Sequence, residues 1–202
     1  MKKRGETMNN LAYQDDYKIS EMIGGVTVMI SPRPRYEHVA VSGNIFFEFK
    51  SYLRGKKCKA FADGFDLYLD DKNRFIPDCM IVCDRSQIKH NGIYGAPNLV
   101  VEVLSRSTAE NDRTKKKDAY ARAGVLEYWI VDTWSKSVEV YYNHDNELKL
   151  NHIYYYLTDE EIAENDALPS DDVNKIETID TEIKVSIFDD LYIKLKDIFE
   201  DI

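Results

Sequence analysis

Apolar residues recur at helical spacing between 37 and 54. Val41, Ile45, Phe46, Phe49, Tyr52 and Leu53 form one stripe, and His38 and Ser42 share its face. The spacing predicts an amphipathic helix. Before it, residues 17–30 alternate and are rich in β-formers around Gly24-Gly25, the pattern of a hairpin. Ser31-Pro32-Arg33-Pro34 then breaks the chain. Two strand-like stretches follow, about 61–69 and 75–83, on either side of Asp70-Asp71-Lys72-Asn73, which has turn chemistry. Leu99-Val100-Val101-Glu102-Val103-Leu104 is nearly all apolar, as a strand covered on both faces should be. A helix is predicted over about 109–123, with Ser107 or Thr108 to cap it and Gly124 to end it. Residues 125–132 form another buried strand, 138–142 and 153–156 further strands, and 191–199 a short helix or strand. Helix, three strands, helix, strand, with extra β elements at both ends, is an α/β layered domain around a mixed sheet.

The length of 202 residues suits a single domain over 1–202. No apolar run approaches the ~20 residues of a membrane helix, and Met1-Lys2-Lys3-Arg4 leads into polar residues, not a signal-peptide core. Cys58, Cys79 and Cys83 are odd in number and form no CxxC pair. Cys79 and Cys83 lie in a strand-like run, where they are expected as small buried hydrophobes. That expectation fits a reducing cytoplasm and opposes a disulfide framework or a zinc knuckle.

A net charge of -9 looks hostile to nucleic acid until it is located. Residues 159–182 hold ten acids and one base, Lys175, so this segment carries the whole imbalance and the remainder is neutral. The stretch from about 158 to 182 is expected as an acidic loop or solvated insertion. Basic clusters occur at Arg33/Arg35, at Arg54/Lys56/Lys57/Lys59 and at Arg113/Lys115/Lys116/Lys117.

Glu102 is the chemical anomaly. A carboxylate inside an apolar strand needs a cation, a metal or a proton. Asp78, after Pro77, opens another apolar strand, although Pro-Asp is also ordinary turn chemistry. Asp112, Lys116 and Tyr120 are spaced i, i+4, i+8 and share a helix face, which would aim Lys116 at the strand of Glu102. The plainer alternative is a surface Asp112–Lys116 pair of about 0.3–0.5 kcal/mol. Two acids and a lysine suit a hard divalent ion and a phosphodiester: carboxylates hold the metal, and an ammonium positions water or meets developing charge. Among the other residues, no GxSxG, HExxH or phosphate-cradling glycine loop occurs.

Pro77-Asp78, the block from Gly95 to Ser105, then Ser107-Thr108, Asp112, Lys116, Tyr120 and the block from Gly124 to Asp132 resemble the putative restriction endonuclease family of small bacterial proteins, within the PD-(D/E)XK nuclease superfamily. Glu21-Met22-Ile23-Gly24-Gly25, Ser31-Pro32, His38 and Asp66 extend the likeness, with Gly24 where the family has Asp. The resemblance implies a restriction-endonuclease-like αβββαβ core. It implies that Asp78, Glu102 and the Val103 backbone carbonyl bind Mg²⁺, for which Mn²⁺ can substitute. The superfamily's lysine would stand at 104, where this chain has Leu104. The resemblance assigns that role to the helix-borne Lys116, with Lys115 and Lys117 as weaker candidates. His38 is either a satisfied core histidine or a group facing the metal, and Glu21 either a hairpin residue or a ligand. The implied activity is a Mg²⁺-dependent DNA endonuclease or nickase, with a homodimer expected where duplex cleavage needs two sites. The alternatives are a catalytically decayed binding or assembly module, and the same metal site acting on RNA.

Overall fold

The computed structural model describes residues 19–30, 34–200 and 202. The chain start, Ser31-Pro32-Arg33 and residues 17–18 of the expected hairpin lie outside the described residues. The hairpin consists of β1 (Ser20–Ile23) and β2 (Val26–Met29), paired antiparallel across Gly24-Gly25. Both turn glycines have positive φ, 61° and 84°, conformations that a side chain would resist. The stripe of apolar residues folds as α1 (Tyr36–Tyr52), which buries Val41, Ile45 and Phe49.

The two long strands expected at 61–69 and 75–83 are each divided. β3 (Lys59–Ala62) and β4 (Leu67–Asp70) replace the first, and β5 (Asn73–Phe75) and β6 (Cys79–Val82) the second. β3 pairs with β6, and β4 with β5, but in different sheets. The ribbon crosses between sheets at Asp63-Gly64 and at Ile76-Pro77-Asp78, where a positive-φ glycine and a proline interrupt the ladder. This crossing leaves Asp63 and Asp78 at a sheet end instead of within strands.

β7 (Ile88–Lys89) and β8 (Gly92–Tyr94) join a six-stranded sheet of short strands, whose order is β2-β1-β5-β4-β8-β7. β9 (Leu99–Val103) is buried throughout. From it the chain enters α2 (Ala109–Asn111), a π-wound stretch at Asp112–Lys116, and α3 (Lys117–Ala123), ended by Gly124 at φ 96°. Thr108 occupies the N-cap position without capping; its hydroxyl instead bonds the Ser105 hydroxyl at 2.9 Å. β10 (Glu127–Asp132) returns parallel to β9, then β11 (Ser137–His144) and β12 (Glu147–Tyr155) form a hairpin. The central sheet runs β12-β11-β10-β9-β6-β3. Its α1-β3-β6-β9-α3-β10 succession is the expected αβββαβ core.

The acidic segment is not simply a loop. α4 (Asp159–Ala167) opens on a capping box in which Thr158 accepts from Glu161 N–H and Glu161 accepts from Thr158 N–H. Three acids in its first turn complement the helix dipole, so charge that looks disordering helps to start a helix. β13 (Glu182–Lys184), β14 (Tyr192–Lys194) and α5 (Leu195–Phe199) follow, making the C-terminal stretch both strand and helix.

Two apolar cores lie on opposite faces of the central sheet. One joins α1 and α5 to Val101, Val103 and Trp129; the other joins α3 and the second sheet to Val100, Leu104, Tyr128 and Ile130. Among the described residues, no helix is long and apolar enough to cross a membrane.

The cysteine expectation is overturned: Cys58 and Cys83 form a disulfide, and only Cys79 is a free, buried thiol. The cause is register. Lys59 pairs with Val82, so the flanking residues 58 and 83 stand opposite each other. The inference of a reducing cytoplasm rested on free thiols and loses that support.

Candidate active site

The strand pattern alone brings the two acids together. β6 is antiparallel to β9 with Cys79 opposite Val101, which sets Asp78 opposite Glu102 one step along. Both belong to the face shared by Met80 and Val100, beneath α3. Val103 N–H donates to Asp78 Oδ2 at 2.7 Å, tying the acid to the end of β9.

Lys116 arrives from above. It is 3% exposed, and its Nζ lies 2.6 Å from Glu102 Oε1, 3.1 Å from Glu21 Oε1 and 3.3 Å from Asp112 Oδ1. Asp112 Oδ1 makes that contact without hydrogen-bond geometry. A surface Asp112–Lys116 pair is therefore not what forms; both groups are buried. The π winding at Asp112–Lys116 locates both residues inward, and such winding recurs at functional sites. Tyr120 O–H donates to Glu102 Oε1 at 2.6 Å, and Tyr128 O–H donates to the Asp112 carbonyl at 3.0 Å. Leu104, where the superfamily lysine would stand, is buried core.

Glu21 is more than a hairpin residue. Its Oε1 accepts from Ile76 N–H at 2.8 Å as well as facing Lys116. His38, at the start of α1, stands with Nε2 3.3 Å from Asp78 Oδ1. It also hydrogen-bonds the backbone of Val103, so it faces the acids and is not an ordinary core histidine. Asp63, unmarked in the sequence, sits at the mouth beside His38 and Asp78. Only its position at the crossing between two sheets distinguishes it. Asp66 goes elsewhere: it pairs with Arg74 at 3.2 Å and accepts from Tyr68 O–H.

The electrostatics follow from crowding. Burial raises the Glu102 carboxyl well above its ordinary range; Lys116 opposes that shift, and Asp112, Asp78 and Glu21 reinforce it. Burial pulls Lys116 down, but Glu102, Asp112 and Glu21 outweigh it, so the ammonium is held well above its usual value. Burial and Glu102 both raise the Tyr120 hydroxyl. His38 is lowered by burial, but the hydrogen bond and charge of Asp78 prevail and raise it. Partial burial and then Asp78 raise Asp63. Carboxylates thus outnumber cations around a buried centre.

Among the described residues, no three His, Cys, Asp or Glu side chains are grouped to hold a metal by themselves. Asp78, Glu102 and the Val103 carbonyl are nevertheless a hard-oxygen donor set. Crowded buried carboxyls that otherwise hold a proton favour a divalent cation in its place, and Mg²⁺ commonly keeps several waters beside one or two carboxylates. The residues fit the ion.

The basic cluster at 113–117 is dispersed. Arg113 pairs with Glu139 at 2.6 Å, Lys117 lies over the Tyr141 ring and Lys116 is buried; Lys115 remains exposed.

Residues 6–174 match the sequence profile of Uma2, described as putative restriction endonuclease. The chain belongs to the Uma2 family. An uncharacterized protein of Synechocystis sp. is 30% identical over 111 residues, 54% of this chain. The chain spans 58% of that relative's length. A crystal structure described as a putative nuclease from Anabaena variabilis superposes with a TM-score of 0.61 at 18% identity, over 91% of both chains. At that identity the likeness concerns the fold, and it includes the Uma2 chain's mixed α/β architecture.

Proposed function

We propose that this chain is a metal-dependent phosphodiester hydrolase, a DNA endonuclease or nickase working with Mg²⁺. The observation that carries the proposal is the buried pairing of Lys116 with Glu102, directly across the strands from Asp78. Asp78, Glu102 and the Val103 carbonyl would hold the ion. When bound, Mg²⁺ supplies charge neutralisation at the phosphate and a more acidic water.

The protein's own groups have separable tasks. Lys116 stays an ammonium because three carboxylates surround it, so it donates and stabilises negative charge instead of removing protons. Tyr120 and Lys116 together fix Glu102 Oε1. His38 holds a proton between Asp78 and the Val103 carbonyl at the mouth, where a leaving oxygen could receive it.

Plasmid incubated with Mg²⁺ tests this. Asp78→Ala, Glu102→Ala and Lys116→Ala should each lower nicking at least about 100-fold. Cleavage unchanged in both acid variants would refute the assignment. Duplex cleavage would employ two sites, as in a homodimer.

A further inference from the structure

A large aromatic side chain stands open at the same end of the sheet as the carboxylates. Trp134 is 52% exposed, whereas the chain's other tryptophan, Trp129, is 0% exposed and donates to Glu127. The Arg106 guanidinium lies over the Trp134 ring, 5.5 Å from its centroid. The two residues come from different loops, placed side by side by strand register. Val131 pairs with Val103 in the parallel β9–β10 ladder, and Leu104 N–H donates to the Val131 carbonyl at 2.8 Å. The Arg106 loop therefore leaves β9 beside the point where the Trp134 loop leaves β10. That is the end at which Val103 N–H holds Asp78. Trp134 is three residues beyond Val131, so its backbone stands within roughly 10 Å of that end of the β9–β10 pair.

The loop is anchored. Trp134 N–H donates to Asp132 Oδ1 at 2.9 Å, and the Ser135 and Ser137 hydroxyls bond at 2.7 Å. These bonds hold the loop backbone, and the ring itself rests against Arg106, so less freedom is lost when another flat group meets it. A guanidinium stacked on an indole also offers charge to a phosphate and a plane to a base.

We propose that Trp134 and Arg106 form a stacking shelf for one unpaired nucleobase of a strand held at the Asp78–Glu102–Lys116 site. The proposal rests on the hydrolase reading and specifies its substrate: a paired base remains stacked on its neighbours, so the shelf selects a single-stranded, frayed or flipped nucleotide. Base–aromatic stacking tolerates any sequence, because every base has a flat face.

The test is tryptophan emission of the full chain with Ca²⁺ in place of Mg²⁺, titrated with oligothymidylate, with an abasic strand of equal charge and with a blunt duplex. Oligothymidylate should quench the wild type, and the abasic strand and duplex should not. Trp134→Ala should weaken oligothymidylate binding about 5- to 100-fold while leaving affinity for the abasic strand unchanged. Trp134→Phe should retain most of the affinity and lose the quench, since only buried Trp129 then emits. Equal affinity of Trp134→Ala and wild type, an unresponsive Trp134 in the bound state, or no binding to oligothymidylate would overturn the shelf. Asp78-dependent plasmid cleavage beside any of those results would leave the hydrolase reading standing. Quenching without Asp78-dependent cleavage would overturn that reading and keep the shelf.

Discussion

At the residue scale, buried charge falls into two kinds. Around Lys116 the carboxylates exceed the ammonium, and the surplus invites a metal. Glu127, on the other side of the sheet, is 0% exposed but served by donors: Trp129 Nε1–H at 2.7 Å to Oε1, and Ser186 N–H at 2.8 Å and O–H at 2.6 Å to Oε2. Burial still outweighs those donors and raises its carboxyl above the ordinary 4.5. A raised acid binds its proton more tightly folded than unfolded. Its contribution to stability is therefore greatest below about pH 4.5 and declines as pH climbs toward the folded value. Glu127→Gln places an amide against donors and should cost about 1–3 kcal/mol. Urea unfolding across the acid range should show that deficit largest at low pH and narrowing toward neutrality. A deficit that widens with pH would mean the donors dominate. Glu102 was legible because a charge interrupts an apolar strand; Asp63 was not, because an Asp-Gly pair looks like any turn.

At the element scale, local periodicity carried α1 and β9, whose burial follows their apolar spacing. Pairing decided the rest. The ribbon from β3 to β6 exchanges partners midway, which no alternation within either stretch reveals. That same register brings Cys58 to Cys83 across a separation of 25 residues. Closing a loop of that size should contribute about 3 kcal/mol through the unfolded chain. Reductant should lower the thermal midpoint of the wild type and leave Cys58→Ser unmoved. An equal response in both would mean the bridge contributes nothing. The consequence reaches the site, because this ribbon delivers both Asp63 and Asp78.

At the scale of the whole molecule, the family match ends at residue 174 but the core does not. Ile183, Val185, Ile193, Leu195, Ile198 and Phe199 are buried with Val41, Ile45 and Phe49 of α1. Asn44 Nδ2–H donates to the Ile198 carbonyl at 3.1 Å, fastening α5 to α1. Removing residues 182–202 would expose one face of the central sheet. Circular dichroism and light scattering should show lost cooperativity and aggregation; a monomer melting as cooperatively as the full chain would contradict this. Because α1 carries His38, the distal segment also supports the mouth of the site.

Composition and periodicity were enough for the fold class and for the buried strand with its misplaced carboxylate; they left Lys116 between that carboxylate and a surface pair with Asp112, and the family resemblance put Asp78 and Lys116 beside Glu102. Periodicity and a misplaced charge are local properties: a side chain's face is set by 3.6- or 2-residue repeats, and a charge among apolar neighbours is conspicuous wherever it occurs. Tertiary structure alone decided that Glu21 and His38 join these acids while Asp66 turns to Arg74, and that Cys58 meets Cys83. Each depends on which strand lies beside which and in what register. One residue of slip would send every such side chain to the opposite face.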